Sequence, residues 1–258
     1  MKNYFVQATD DARQTINRWV EEQTKDKIKD LIQPGILDRM TRLVLTNAIY
    51  YKAPWQTPFY ESLTKPEEFQ VTVDQKVKVP TMHHEGGFKY LDGGNFQLLD
   101  MPYKSQEQSM LVLLPKKIDG LIELEKTLTP PNLESWLAKS RRQEVRVTFP
   151  KFKFTREFEL NKKLAEMGMP LAFSDRADFS GMDGRKDLFI SNVIHKAFVD
   201  VHEKGTEAAA ATAVVIATPS AAPRPLPRAT FHADHPFVFL LRDNRTGSFL
   251  FMGRVSDL

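Results

Sequence analysis

Apolar residues at Ile16, Trp19, Val20 and Ile28 recur at helical spacing among the charges of Asp10 to Leu31, which predicts an amphipathic helix with one buried stripe, closed by Pro34 and Gly35. LVLTNAIYY at 43–51 is too continuously apolar for a strand with one wet face, so it predicts an interior strand. From Phe69 to Leu114 the period falls to that of strands. Val71 to Val79 alternates, Gly86-Gly87 and Gly93-Gly94 read as turns, and MLVLLP at 110–115 is a further strand, together an antiparallel meander. Helical spacing returns over Ile118 to Lys139, with Pro130 and Pro131 at the start of a second helix. Glu144 to Phe154 alternates through Val145, Val147 and Phe149 as a strand, and Leu160 to Met167 reads as a short helix.

Strand character resumes over Phe189 to Val201 and leads into EKGTEAAAATAVVI at 203–216, followed by prolines at 219, 223, 225 and 227. TEAAAATA admits an exposed alanine-rich helix. The VVI that follows forms strands better, and in a strand Thr206, Ala208, Ala210, Thr212, Val214 and Ile216 share one face while Glu207 takes the other. Small or β-branched residues on one face suit a strand that slides between neighbours, and Gly205 at its base supplies a backbone pivot. The chain closes with Phe237 to Arg242 and Ser248 to Val255, joined by DNRTG, which predict a buried hairpin. No internal repeat or linker divides the sequence, so residues 1–258 read as one interlocked α+β domain.

Charge narrows the function without naming it. The 36 Lys plus Arg and 33 Asp plus Glu nearly cancel, to a formal +3, and no polybasic run or aromatic RNA-binding signature accompanies them, which argues against a nucleic-acid partner. Cysteine is absent, so neither disulfides nor thiolate chemistry are available, which fits the cytosol and does not exclude export. The opening MKNYFVQATDD lacks the apolar core of a signal peptide, and no stretch reaches the roughly 18 residues that span a membrane, so no membrane partner is expected.

Enzyme templates fail in turn: there is no GxSxG elbow, Walker loop, HExxH or dinucleotide fingerprint, and no cofactor is implied. His83, His84 and Glu85 are adjacent, and adjacent strand residues point to opposite faces, which disfavours a metal. His232 and His235 precede Pro236, which disfavours the helix their spacing would need, and read as structural.

Three ordered segments carry a specific resemblance: TRLVLTNAIYYKAPWQTPF at 41–59, HKAFVDVHEKGTEAAAATAVV at 195–215, and FHADHPFVFLLRDNRTGSFLFMGRV at 231–255. With FSGM at 179–182 they are similar to signature segments of the serpins, and the alanine-rich hinge resembles that of bacterial members. The resemblance implies a multi-sheet α+β domain with surrounding helices and a mobile reactive loop at about 203–230. It implies a suicide inhibitor: a serine protease attacks the loop, becomes covalently acylated, and the loop inserts as a new strand beside LVLTNAIYY. Glu203, Gly205, Thr206, Glu207, Ala208, Ala209, Ala210, Ala211 and Thr212 would form the hinge. Asn47 and His195 would form a polar cluster where the sheet opens, with Trp55 near the place where the loop goes in.

Counting Gly205 as the fifteenth residue before the cut, as the resemblance implies, puts the scissile bond at Pro219-Ser220. Proline suits few primary pockets. Ala217-Thr218, Ser220-Ala221 and Ala221-Ala222 are alternatives, and their small residues point to elastase-like or subtilisin-like proteases. A trypsin-like cut would need Arg228-Ala229, nine residues beyond the expected bond. The resemblance also implies that about a third of the usual fold is absent before Asp10, which would leave this chain a non-inhibitory binding protein or prone to associate through its loop or an open sheet edge. It implies an extracellular or secreted setting, while the missing signal peptide leaves the cytoplasm open.

Overall fold

The computed structural model describes residues 9–206 and 229–258. In chain order the elements are α1 (Thr9–Gln23), β1 (Leu43–Tyr50), β2 (Ala53–Pro54), β3 (Lys65–Gln70), β4 (Lys76–Asp92), β5 (Phe96–Pro102) and β6 (Gln108–Pro115). Then come α2 (Leu121–Thr127), α3 (Pro130–Lys139), β7 (Arg141–Pro150), β8 (Phe152–Glu159), α4 (Asn161–Glu166), α5 (Ser180–Asp183) and β9 (Ile190–His202). After them follow β10 (Gly205–Thr206), β11 (Ala229–His232), β12 (Phe237–Asp243) and β13 (Phe249–Val255). They form two compact units: residues 9–51 with 153–199, and residues 52–152 with 200–206 and 229–258.

In the first unit α1 stops at Gln23, eight residues short of the helix predicted to Leu31. The Thr24 hydroxyl bonds the Val20 carbonyl at 2.8 Å and receives the Ile28 amide at 3.2 Å, and Lys25 and Asp26 take positive φ, so the chain leaves the helix. Ile28, Leu31 and Ile32 are still fully buried, against Val20, Ile194 and Phe198. Asn17 clips that segment down, its amide bonding both the carbonyl and the amide of Ile32. Trp19, expected in the buried stripe, is instead 49% exposed.

β1 runs parallel to β9 from Leu43↔Ile190 to Tyr50↔Phe198, and β8 pairs with β9 as well. The expected interior strand is thus half-buried. Among the described residues β1 pairs with β9 alone, and alternation turns Val44, Ala48 and Tyr50 to the core and Leu45 and Asn47 outward.

The second unit is built on an eight-stranded sheet in the order β11-β7-β4-β5-β6-β12-β13, with β3 on β4. The meander is present, with two corrections. Val71–Val79 is divided by a turn in which the Thr72 hydroxyl receives the amides of Asp74 and Gln75. Gly86-Gly87 is not a turn but the middle of β4, opposite Val145 and Glu144, where a Cβ would lie 2.9 Å from His84 Nε2 and 3.0 Å from Arg142 Nη2. Gly93-Gly94 does turn, Gly94 at φ +87° with its amide on Asp92.

The single strand expected over Glu144–Phe154 breaks at Lys151, whose amide bonds the Pro80 carbonyl. α2 and α3 pack Leu121, Leu124 and Leu133 onto Leu98, Leu111, Leu113 and Leu240. The closing hairpin is buried along β12, which has a neighbour on each side, and in β13 only at Phe251 and Val255. β13 exposes Phe249, Leu250 and Met252.

Candidate functional site

The chain after β9 turns back at Glu203-Lys204, and Gly205-Thr206 lies between the end of β9 and β2, antiparallel to both. Gly205 pairs with His202 and Pro54, Thr206 with Val201 and Ala53. The turn demands glycine: φ is +151°, and a Cβ would overlap the Ala53 carbonyl oxygen. Thr206 is fully buried and its hydroxyl meets the Tyr103 hydroxyl at 2.7 Å.

Trp55 lies under this turn. Its ring stacks on Tyr103 at 4.6 Å, Nε1 donates to the His202 carbonyl at 3.0 Å, and its amide donates to the Lys204 carbonyl at 2.9 Å. Glu203 is buried with its carboxylate held by Thr64 Oγ1 at 2.7 Å and Lys151 Nζ at 2.9 Å, while its carbonyl receives the Phe59 amide. Burial pushes the Glu203 carboxyl up, and the bonds from Lys151 and Thr64 outweigh it, so its pKa stands below the ordinary value. The neighbouring His202 is lowered by burial, against the opposing charges of Asp200 and Glu203.

Asn47 and His195 are register partners across β1 and β9, and His195 Nδ1 lies 3.0 Å from Asn47 Oδ1. Asn47 is exposed and His195 half-buried, its ring stacked on Phe158. Burial lowers the His195 pKa, favouring the neutral ring, whose Nδ1–H donates to Asn47.

Of the expected hinge, Glu203, Gly205 and Thr206 are brought together with Trp55. Glu207 to Thr212 and the candidate cleavage residues Ala217, Thr218, Pro219, Ser220, Ala221 and Ala222 lie outside the described residues. Tyr103, Thr64 and Lys151 were not singled out in the sequence, where about 50 to 140 residues separate them from the hinge and no spacing links them. Among the described residues no group of three or more His, Cys, Asp or Glu is arranged to hold a metal. His83 turns toward Glu67, and His84 lies among the rings of Phe59, Tyr60 and Phe88.

A profile of the family described as serpin (serine protease inhibitor) matches residues 2–258. The chain belongs to the serpin family. It is 42% identical to the human leukocyte elastase inhibitor over 98% of this chain and 68% of that protein, and 42% identical to human Serpin B3 over 98% and 65%. In structure it is similar to uncleaved ovalbumin, with a TM-score of 0.87 at 31% identity, covering 98% of this serpin and 64% of that chain. Serpin48 of the insect Tenebrio molitor matches with a TM-score of 0.84 at 38% identity, over 96% and 65%. This serpin therefore spans about two thirds of the length of the relatives it matches, and its helices and multi-stranded sheets are the α+β serpin fold. The bacterial-type resemblance finds no support in these animal relatives. The expectation of an absent N-terminal third draws no support from them either, since they concern the residues present. No helix among the described residues is long and apolar enough to cross a membrane.

Proposed function

We propose that this serpin inhibits serine proteases of elastase-like or subtilisin-like specificity as a suicide substrate, its domain being residues 1–258 and its reactive loop about 203–230. The observation that best supports the mechanism is the seating of Gly205 and Thr206 as a two-residue strand between β9 and β2. That strand points the chain back along β9, the direction an inserting loop must take. In the reaction the protease serine oxygen attacks a loop carbonyl, the peptide C–N bond breaks, the new amine leaves with the downstream chain, and the acyl ester remains. Insertion then parts β1 from β9, so the pairs from Leu43↔Ile190 to Tyr50↔Phe198 open, with the Asn47–His195 bond among them. About 14 residues at roughly 3.3 Å each would carry the acylated protease about 45 Å.

The small residues from Ala217 to Ala222, and the name of the human relative, favour an elastase-like target. A gel-stable complex with an elastase, together with a released C-terminal peptide beginning between Thr218 and Ala222, is the expected result. Cleavage without a complex would favour the non-inhibitory reading instead, and cutting mainly at Arg228 would overturn the assigned bond. Thr206→Arg would put an unpaired charge where Thr206 is already fully buried against the Tyr103 hydroxyl, unseating this strand, and should turn the inhibitor into a substrate. Self-association through the loop or the β1 edge is part of this reading, supported by the lack of a second partner for β1 among the described residues.

A further inference from the structure

Residues 59–70 touch the chain on both sides of residues 207–228. On the upstream side the Phe59 amide donates to the Glu203 carbonyl at 2.9 Å, the Thr64 hydroxyl donates to the Glu203 carboxylate at 2.7 Å, and Lys204 Nζ lies 3.1 Å from Glu61 Oε1. On the downstream side the Gln70 amide donates at 2.7 Å to the carbonyl of Asp234, just beyond β11. The second half of the segment is β3, which pairs with β4 along its whole length, from Lys65↔Thr81 to Gln70↔Lys76. The segment is therefore fixed at both ends.

Between these ties a turn of 3-10 helix at Glu61–Leu63 raises two apolar side chains. The Leu63 amide closes the turn on the Tyr60 carbonyl at 2.9 Å, and the Tyr60 ring is backed by the His84 ring, 6.1 Å away and inclined by 29°. Tyr60 is nonetheless 51% exposed and Leu63 50%. The carboxylates of the segment are paired: Glu61 with Lys204, Glu67 with Lys65 at 3.1 Å, and Glu68 with Lys76 at 2.9 Å. Covering this surface would strand none of those charges. A tyrosine and a leucine within a margin of neutralised charge is the make-up of an interface centre and its polar rim.

Scattered exposed apolar residues need no explanation. These two differ in their place, because a protein that closes on residues 207–228 approaches the surface to which both ends of that segment are tied. We infer that Tyr60 and Leu63 form a second docking surface for the attacking protease, which meets its body outside the cleft that takes the loop. The inference rests on the inhibitory reading proposed above. Such a contact acts before any bond is cut, so it raises the rate of encounter and leaves the division between trapping and turnover unchanged.

Binding of the intact chain to an elastase whose catalytic serine is replaced by alanine reads docking without chemistry. Tyr60→Ser combined with Leu63→Ser should weaken that binding about tenfold and slow complex formation with the active enzyme by about the same factor, at an unchanged stoichiometry of inhibition. Leu63→Lys should weaken binding as well, so a folding defect in one variant leaves the other to decide, and Tyr60→Phe should retain it. Unchanged binding in the folded variants would overturn the docking surface alone. Binding that is lost in the variants, from a parent that forms no covalent complex, would sink the inhibitory reading and leave the surface standing. A parent that does not bind the inactive elastase would overturn the surface, and gel-stable complexes would then still uphold inhibition. Self-association of the parent that the variants lose, with elastase binding unchanged, would make a second copy the occupant and overturn the inference.

Discussion

The chain enters residues 207–228 from β10 and leaves them into β11, and the two ends are held by different physics. At β10 the hold is buried and steric: Trp55 sandwiched beneath the turn, a glycine that no other residue replaces, a carboxylate shut in with Lys151, and Thr206 without solvent contact. At β11 it is partly exposed and ionic, with His232 nearly half open to water. Burial makes the first end strong and insensitive to salt, because contacts removed from water are neither screened nor exchanged for water. The second end, with its ion pair partly open to water, is the more sensitive to ionic strength. Under the inhibitory reading proposed above, a loop that inserts from its upstream end would gain from this asymmetry, since Gly205 and Thr206 are already seated between β9 and β2.

The largest effect expected on this contrast is Trp55→Ala, which empties the space beneath the turn. It should cost about 3–5 kcal/mol in urea unfolding and abolish exchange protection at residues 203–206. Gly205→Ala comes next, at about 2–4 kcal/mol, because the new methyl meets the Ala53 carbonyl at a φ of +151°. Unchanged protection at Thr206 in that variant would mean that the seating is not as tight as the geometry requires.

Lys151→Met leaves Glu203 with Thr64 alone and should cost about 1–3 kcal/mol. It also carries a pH signature. The Glu203 carboxyl stands below its ordinary 4.5, so its contribution is complete above that value and is lost as pH falls through the lowered one. Without Lys151 the acid limb of the stability curve should move to higher pH, read from denaturant midpoints across a pH series. The smallest effect belongs to the other end. Gln97→Ala removes one bond to the Thr230 carbonyl and should cost about 0.5–1 kcal/mol, seen as faster exchange in β11 with no change at β10. Equal loosening of both ends would break the contrast.

Much of this was legible along the chain. The alternation of Glu144–Phe149 and the proline pair opening α3 placed their elements without help, because local period and turn chemistry decide them. Gly205, with its small and β-branched neighbours, stood out because glycine beside a strand of small residues has few structural explanations. The errors share a cause. Gly86-Gly87 looked like a turn because what excludes side chains there, the His84 ring and the Arg142 guanidinium, includes a group 55 residues away in β7. β1 looked interior because a continuous apolar run does not report how many faces are covered.

The sequence by itself determined the fold class, most of the order of strands and helices, the family, and the glycine at 205 on which the turn after β9 depends, all of which rest on local periodicity or on contiguous motifs. Tertiary structure decided what holds the chain on either side of residues 207–228. Tyr103 under Thr206, Lys151 against Glu203, and Glu67 beside His232 are pairs drawn from distant parts of the chain, and no spacing rule joins them. They meet because β3, β5, β6 and β7 are brought beside the residues that flank the loop by a core of Leu98, Leu111, Leu113 and Leu240, with Val145, Val147 and Phe149 buried along β7. The burial of apolar surface chooses those neighbours, and the polar chemistry of the site follows from the choice.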